Sequence, residues 1–364
     1  MPSEFDVVVD ALFGIGLQRA LGPEHARWVQ AMQSSGKPIV AVDCPSGLDT
    51  DSGQTMEGTV QATATLSFIG LKPGLFTGQG RDVCGDIWLD PLGTNATTQP
   101  VAELNPAPAP RPRLHASHKG SYGDLAVVGG DEGMLGAALL AARAALHGGA
   151  GRVYVAALDP KAPGLDALQP ELMFRATHSL DWSQLTVVAG CGGGTRIADW
   201  LPALLQNSAR LVLDADALNT VAASPALQAD LRARAQQRTA SATVLTPHPL
   251  EAARLLHTST AEVQAQRLQA AQTLADNLQA TVVLKGSGTV IAAPDCTARI
   301  NPTGNARLAT GGTGDVLAGM VGAELAAGLP AFEAACAAVY CHGLAAQGGG
   351  DARVCLASEL LKKV

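Results

Sequence analysis

Aromatic residues make up only 4% of the 364 positions and charged residues only 16%. So little charge, beside 47% hydrophobic residues, excludes a disordered chain, which needs the opposite balance. Acidic residues outnumber basic ones, 32 to 25, for a net charge of −7. No general basic face is expected, and therefore neither nucleic acid nor an anionic membrane as partner. The seven cysteines lack a Cys-x-x-Cys or His-rich spacing, so neither a zinc site nor a disulfide framework is indicated, and a reducing, cytoplasmic compartment is expected. No apolar run reaches the roughly 20 residues of a membrane span, and the N-terminus lacks the basic stretch and apolar core of a signal peptide. Glycine, by contrast, is abundant, at 40 residues, which suits an α/β protein with many tight strand-to-helix turns.

The chain is long for one core, since domains run to roughly 100–200 residues. A stretch from Pro91 to Arg113, with proline at 106, 108, 110 and 112, reads as an extended linker. The expected division is 1–95, a linker over 96–112, and 113–364. Beyond the linker, short β-branched runs alternate with Ala/Leu-rich helical stretches: Leu125–Val128 then Gly136–His147, Arg152–Ala156, Thr186–Ala189, Leu211–Leu213, Thr243–Leu245 then Leu250–His257, and Thr281–Leu284. Runs apolar on both faces are strands of a mostly parallel sheet covered by helices. Further helices begin near Val316 and Phe332. Thr281–Leu284 and Thr289–Ala292 flank Gly286-Ser287-Gly288 as a tight hairpin suited to gripping a nucleotide. Before the linker, Asp6–Val9, Ile39–Val42, Thr65–Ile69 and Asp86–Leu89 read as strands and Glu24–Ser34 as a helix, half of a doubly wound domain. A sheet that starts at Val7–Val9 leaves an apolar edge unpaired, so a further N-terminal segment is expected.

The most specific segment is Asn301-Pro-Thr-Gly-Asn-Ala-Arg-Leu-Ala-Thr-Gly-Gly-Thr-Gly-Asp315-Val-Leu-Ala-Gly319, a glycine-rich loop that runs into a helix. Its backbone N–H groups and the helix dipole make an anion hole suited to phosphate. Asp315 either caps that helix or, beside an anion hole, takes the proton of a hydroxyl as it attacks a phosphoryl group. The spacing is not that of a P-loop. Asp214 and Asp216 at a strand end hold Mg²⁺ through water or cap the next helix, and His118 and Lys119 form an entry turn or approach phosphates.

These residues resemble the Gly-Thr-Gly-Asp signature of ribokinase-like kinases and, more closely, the ADP/ATP-dependent NAD(P)H-hydrate dehydratases. The resemblance covers residues 113–364 and rests on ordered motifs: His118-Lys-Gly-Ser-Tyr-Gly123, Gly129-Gly130 with Gly133-Met-Leu-Gly-Ala-Ala138, Pro170-Glu-Leu-Met173, Leu213-Asp-Ala-Asp-Ala-Leu-Asn219, Thr246-Pro-His-Pro249, Lys285-Gly-Ser-Gly-Thr289 and the Asn301–Gly319 loop. It implies a three-layer α/β/α domain that phosphorylates the extra hydroxyl of the hydrated nicotinamide ring and eliminates phosphate, with ADP or ATP and Mg²⁺. By that resemblance Asp315 is the base. Ala137, Gly192, Gly194, His248 and Asp315 line the NAD(P)H hydrate, while Lys285, Gly286, Ser287, Gly288, Thr289 and Gly314 hold the nucleotide. A homo-oligomer, tetrameric in the family, is also implied. Two loops depart from the family's usual form: Gly190-Cys-Gly-Gly-Gly194 stands for Gly-Pro-Gly-Leu-Gly, and Pro247-His-Pro-Leu-Glu251 for Pro-His-Pro-Gly-Glu.

The N-terminal motifs Asp6-Val-Val-Val-Asp10-Ala-Leu-Phe-Gly-Ile-Gly-Leu, Asp43-Cys-Pro-Ser46-Gly-Leu-Asp49 and Phe68-Ile-Gly-Leu-Lys-Pro-Gly74 resemble the C-terminal half of a Rossmann-like NAD(P)H-hydrate epimerase domain. The resemblance implies K⁺ at Asp10 and Ser46, and contact with the hydrated dinucleotide by Gly14, Ile15, Gly16, Leu17, Gln18, Arg19, Ala20 and Asp43. The family's Asn-Asn-Gly-Gly-Asp-Gly loop is missing from the sequence, so no independent epimerase activity is expected. Two other functions are compatible with parts of the sequence. The Gly-Thr-Gly-Asp loop alone also serves a ribokinase-like kinase of a small vitamin-precursor alcohol, and the nucleotide motifs alone suit a non-catalytic adenine-nucleotide-binding protein.

Overall fold

The β-branched runs become strands, and the computed structural model, which describes residues 4–17, 19–94, 98–237, 242–348 and 353–363, arranges them in two sheets. The chain divides into two compact units, Met1–Glu103 with Gln264–Arg267 and Gly286–Gly288, and the remainder. In the first, β1 (Val8–Asp10), α1 (Pro23–Ser34), β2 (Ile39–Val42), β3 (Ala64–Phe68), α2 (Gly80–Val83) and β4 (Asp86–Asp90) follow one another, and the strands pair in parallel in the order β1-β2-β3-β4. Proline opens α1, where its missing N–H is harmless, and Val29 and Met32 of that helix pack on Val8, Ile39 and Val60.

The second sheet starts from β5 (Ala102–Leu104) and continues with β6 (Asp124–Gly129), α3 (Leu135–His147), β7 (Arg152–Ala157), β8 (Met173–Phe174), β9 (Thr186–Ala189), α4 (Leu201–Asn207) and β10 (Arg210–Leu213). After these come α5 (Ala215–Ala223), α6 (Pro225–Gln237), β11 (Ala242–Leu245), α7 (Pro249–Leu256), α8 (Thr260–Ala265), α9 (Arg267–Leu278) and β12 (Thr281–Leu284). The chain closes with β13 (Val290–Ala292), β14 (Ala298–Ile300), α10 (Thr313–Ala326), α11 (Ala331–Gln347) and α12 (Ala357–Leu360). The strand order is β5-β14-β13-β12-β11-β10-β9-β6-β7-β8. From β8 to β12 every pair is parallel; β13 and β14 are added antiparallel. Register aligns Val127, Val188, Val212 and Val244 in one row, and these pack with α3, α10 and α11 in the main core. The alternate residues Val187, Leu211 and Leu213 are equally buried, as expected of a sheet with helices on both faces. The mostly parallel sheet between helices is the α/β architecture that the resemblance implies.

Several elements differ from the sequence reading or were not read there, among them α4, α5, α6, α8, α9 and β8. β1 begins at Val8 and so takes in Asp10. α10 starts three residues before Val316, at Thr313 directly after the left-handed Gly312. Within the Pro-rich stretch, Ala102–Leu104 form a strand, and the hairpin after β12 gains a third strand, β14. Three-residue strands are too short to show a period. No helix among the described residues is long and apolar enough to cross a membrane.

Candidate active site

The loops after β6, β9, β10, β11 and β12 leave the same C-terminal edge of the parallel strands, and the strand order reverses between β6 and β9, where open α/β sheets leave a crevice. Asp315, the third residue of α10, belongs to this second unit. The helix is capped instead by Gly312, at φ 89°, which corrects the cap considered for Asp315. A side chain at Gly312 would be strained at that φ, and its Cβ would stand 2.6 Å from Leu140 Cδ1.

The Asp315 carboxylate, the Asp214 carboxylate and the Cys191 thiol have atoms within 4.8 Å of one another. Burial, then the Asp214 charge, pushes Asp315 up to about 6. Burial and the same two carboxylates hold Cys191 well above the thiol range, so it is a neutral S–H. Lys285 Nζ donates to Asp214 Oδ1 at 2.7 Å. Burial works to lower Lys285, but Asp214 and Glu251 outweigh it and its pKa rises, so the site keeps a positive charge. Gly314 lies beside it: a Cβ there would be 3.3 Å from Lys285 Nζ. Thr289 stands just before β13, and Gly286, Ser287 and Gly288 make the turn from Lys285 to it.

Asp214 occupies the N-cap position of α5 without making a side-chain cap, and Asp216 accepts from Gly194 N at 2.9 Å. The two aspartates thus serve different partners, unlike the joint magnesium pair or the cap considered from sequence. Between them Ala215 has φ 47°, backbone strain of the kind found at functional turns. The glycines of the loop after β9 are required by close approach. A Cβ at Gly190 would be 2.0 Å from the Asp214 carbonyl, and one at Gly192 would be 2.6 Å from the Met134 carbonyl and 3.1 Å from Ala137 Cβ. Asp131 N donates to the Gly192 carbonyl at 2.7 Å, and the Asp131 carboxylate pairs with Arg196 and lies against Gly194. Ala137, Gly192 and Gly194 therefore come together at the switch point.

His248 caps α7: its Nδ1 accepts from Leu250 N at 3.1 Å and Glu251 N at 3.3 Å, and Glu251 accepts in return from His248 N at 2.8 Å. Burial, then Lys285, lowers His248, while burial pushes Glu251 up to about 7. His118 in the same way caps the short turn Lys119–Tyr122.

In the first unit Asp10 is buried, and its carboxylate accepts from Ser46 Oγ at 2.7 Å and Ser46 N at 2.8 Å. Gly14, Ile15, Gly16, Leu17 and Arg19 line, with Phe13, a pocket of about 380 Å³. Gln18 lies outside the described residues, and Ala20 is exposed. Asp43, at φ 71°, pairs with Lys72 and accepts from Phe68 N at 3.0 Å. Among the described residues no hydrogen bond links Asp43 to the Gly14–Ala20 loop.

Sequence reasoning passed over Cys191, Glu251 and the Asp131–Arg196 pair. Only Glu251 carried a local signal, the His-x-x-Glu spacing of a capping box; the others meet through tertiary structure.

Comparison with known proteins follows the same division. Residues 125–363 match the family model described as NAD(P)H-hydrate dehydratase, and residues 1–74 match the YjeF-related protein N-terminus. The chain is 39% identical over 362 residues to the bifunctional NAD(P)H-hydrate repair enzyme Nnr of Escherichia coli K12, covering 95% of this chain and 67% of that one. It is 43% identical over 259 residues to the ADP-dependent (S)-NAD(P)H-hydrate dehydratase of Neisseria meningitidis, covering 68% and 86%. The crystal structure of a Bacillus subtilis ADP/ATP-dependent NAD(P)H-hydrate dehydratase, co-crystallised with ATP and Mg²⁺, superposes with a TM-score of 0.57 at 31% identity, over 69% of this chain and 90% of that one.

Proposed function

The chain belongs to the NAD(P)H-hydrate dehydratase family, and we propose that its reaction runs through Asp315, with Lys285 and the first turn of α10 receiving the nucleotide phosphates. It is an ADP-dependent (S)-NAD(P)H-hydrate dehydratase. The observation that carries the assignment of roles is the placement of a half-buried carboxylate, lifted to about 6, at the glycine-rich start of a helix beside a charged lysine. A base with a pKa a little below neutral is ionised at working pH and still a competent proton acceptor.

The hydroxyl that hydration added to the nicotinamide ring attacks the terminal phosphoryl of ADP. A new O–P bond forms, the P–O bond to AMP breaks, and the hydroxyl proton passes to Asp315. The ring nitrogen then pushes its electrons as the C–O bond breaks, phosphate leaves, and loss of a proton from the adjacent ring carbon restores the dihydropyridine. The added oxygen departs in inorganic phosphate. Lys285 is a point charge for the transferring phosphoryl, held by Asp214. Gly314 lets phosphate approach the backbone, and Thr289 with the Gly286-Ser287-Gly288 turn completes the nucleotide contacts. Ala137, Gly192 and Gly194 form the wall for the hydrate ring, and His248, anchored by its own cap and close enough to Lys285 and Asp214 to sense their charges, is assigned to the same substrate.

A protein-held magnesium ion does not fit these residues. Asp214 is neutralised by Lys285, and the neutral thiol of Cys191 is a poor ligand for a hard cation. The ion that accompanies an adenine nucleotide is held by its phosphates. The buried Asp10 carboxylate and the Ser46 hydroxyl bonded to it are the oxygen donors that would hold a potassium ion; the neighbouring Gly14–Arg19 pocket is the surface proposed to meet the dinucleotide.

The test is to give the purified chain hydrated NADH, Mg²⁺ and ADP and follow the near-ultraviolet absorbance of reduced nicotinamide. Recovery by the parent and its loss in Asp315→Asn are expected. A folded parent that restores nothing would refute the activity; an unimpaired Asp315→Asn would refute only the role of the carboxylate.

A further inference from the structure

The loop that ends at Asp315 is fastened at both ends to one helix. At its start, Asn301 Nδ2 donates to Thr303 Oγ1 at 2.9 Å, and Thr303 Oγ1 donates to the Tyr340 carbonyl of α11 at 2.8 Å. Asn301 Nδ2 also reaches the Val339 carbonyl at 3.4 Å. At its end, His342 of α11, buried, places Nε2 2.9 Å from the carbonyl of Thr313, the first residue of α10. A carbonyl only accepts, so this contact puts the imidazole hydrogen on Nε2. The Thr313 hydroxyl turns back to the carbonyls of Leu308 and Thr310, at 2.9 and 3.0 Å, and closes the loop on itself. Burial lowers His342 to about 4, so at neutral pH it is an uncharged donor. Through these bonds His342 and Thr303 hold the ground on which Asp315 stands.

We infer that His342 and Thr303 are positioning residues for phosphoryl transfer, fixing the Asn301–Gly314 loop and the first turn of α10 against α11 so that Asp315 meets the substrate hydroxyl. The inference rests on Asp315 being the base. A displacement of about 1 Å at a reacting group lowers rates roughly 100-fold, whereas ligand contacts remote from that group change little.

The experiment compares the full chain with His342→Phe, which keeps bulk and loses the donor, His342→Gln, which keeps an N–H donor, and Thr303→Val. For His342→Phe, kcat is expected to fall about 10- to 100-fold with KM for ADP and for the hydrate within about twofold of the parent, and His342→Gln to recover most of the loss. Thr303→Val, nearly isosteric, is expected to lower kcat about tenfold with the same unchanged KM values; it carries the test if His342→Phe fails to fold by circular dichroism. Parent-like kcat in a folded His342→Phe or in Thr303→Val overturns the inference, as does an equal loss in His342→Gln, which would make the effect steric. Asp315→Asn, assayed alongside, separates the two readings: activity retained there removes the base, while an inactive Asp315→Asn beside a fully active His342→Phe removes only the positioning role.

Discussion

Asp315, the proposed base, is unfavourable to the fold. An aspartate titrates near 3.8 in the absence of neighbours and near 6 here, so between those values the folded chain holds more protons than the unfolded one. Stability therefore falls as pH rises through that window and stays lower above it. Asp315→Asn is expected to unfold at or above the parent's temperature at neutral pH, with the difference closing below about pH 4, while turnover drops about 10²- to 10⁴-fold. Thermal scans at several pH values, beside the absorbance assay, check both halves. For the parent, kcat is expected to fall as pH is lowered through about 6 and the base takes up its proton; a flat profile there would contradict the assignment. Asp315 was legible because Gly311-Gly-Thr-Gly-Asp315 is a local pattern. Its electrostatic partners were not, because Asp214 and Lys285 are 71 positions apart and meet only where the ends of β10 and β12, on either side of β11, come together.

At the scale of elements, α10 has buried residues on nearly every side, whereas the sequence showed only that a helix begins near Val316 and not its neighbours. Two glycines show them. A Cβ at Gly319 would stand 2.1 Å from the Ala141 carbonyl of α3, and one at Gly322 would stand 2.5 Å from Val188 and 2.7 Å from Leu125 of the sheet. Gly319→Ala is expected to destabilise by about 1–3 kcal/mol, as overpacking does, read as a lower urea midpoint. Gly312→Ala combines a left-handed φ with a close contact and is expected to cost about 1–3 kcal/mol and to lower kcat as well, since the helix start moves with it. The short strands β5 and β14 lay below what three residues can signal, whereas the long buried runs of β9, β10 and β12 were plain.

For the whole molecule, nucleotide binding and folding are linked. ADP at about 100 times its Kd is expected to stabilise the chain by about 2.7 kcal/mol, seen as a rise in unfolding temperature. Asp315→Asn should keep that rise, because the carboxylate acts on the hydroxyl. Lys285→Met should lose most of it, and equal rises in the two variants would argue against Lys285 as a phosphate contact. The order of motifs along the chain determined the α/β class and the family and singled out Asp315 as the proposed base, because each motif is a run of neighbours whose backbone chemistry is local. Which way Asp214 and Asp216 face, that Gly312 caps α10, that His248 is bound into its own helix cap, and that α11 holds both ends of the reactive loop were decided only by tertiary structure. Those contacts join residues distant in sequence, and their distances depend on sheet order and helix packing, which no local pattern encodes.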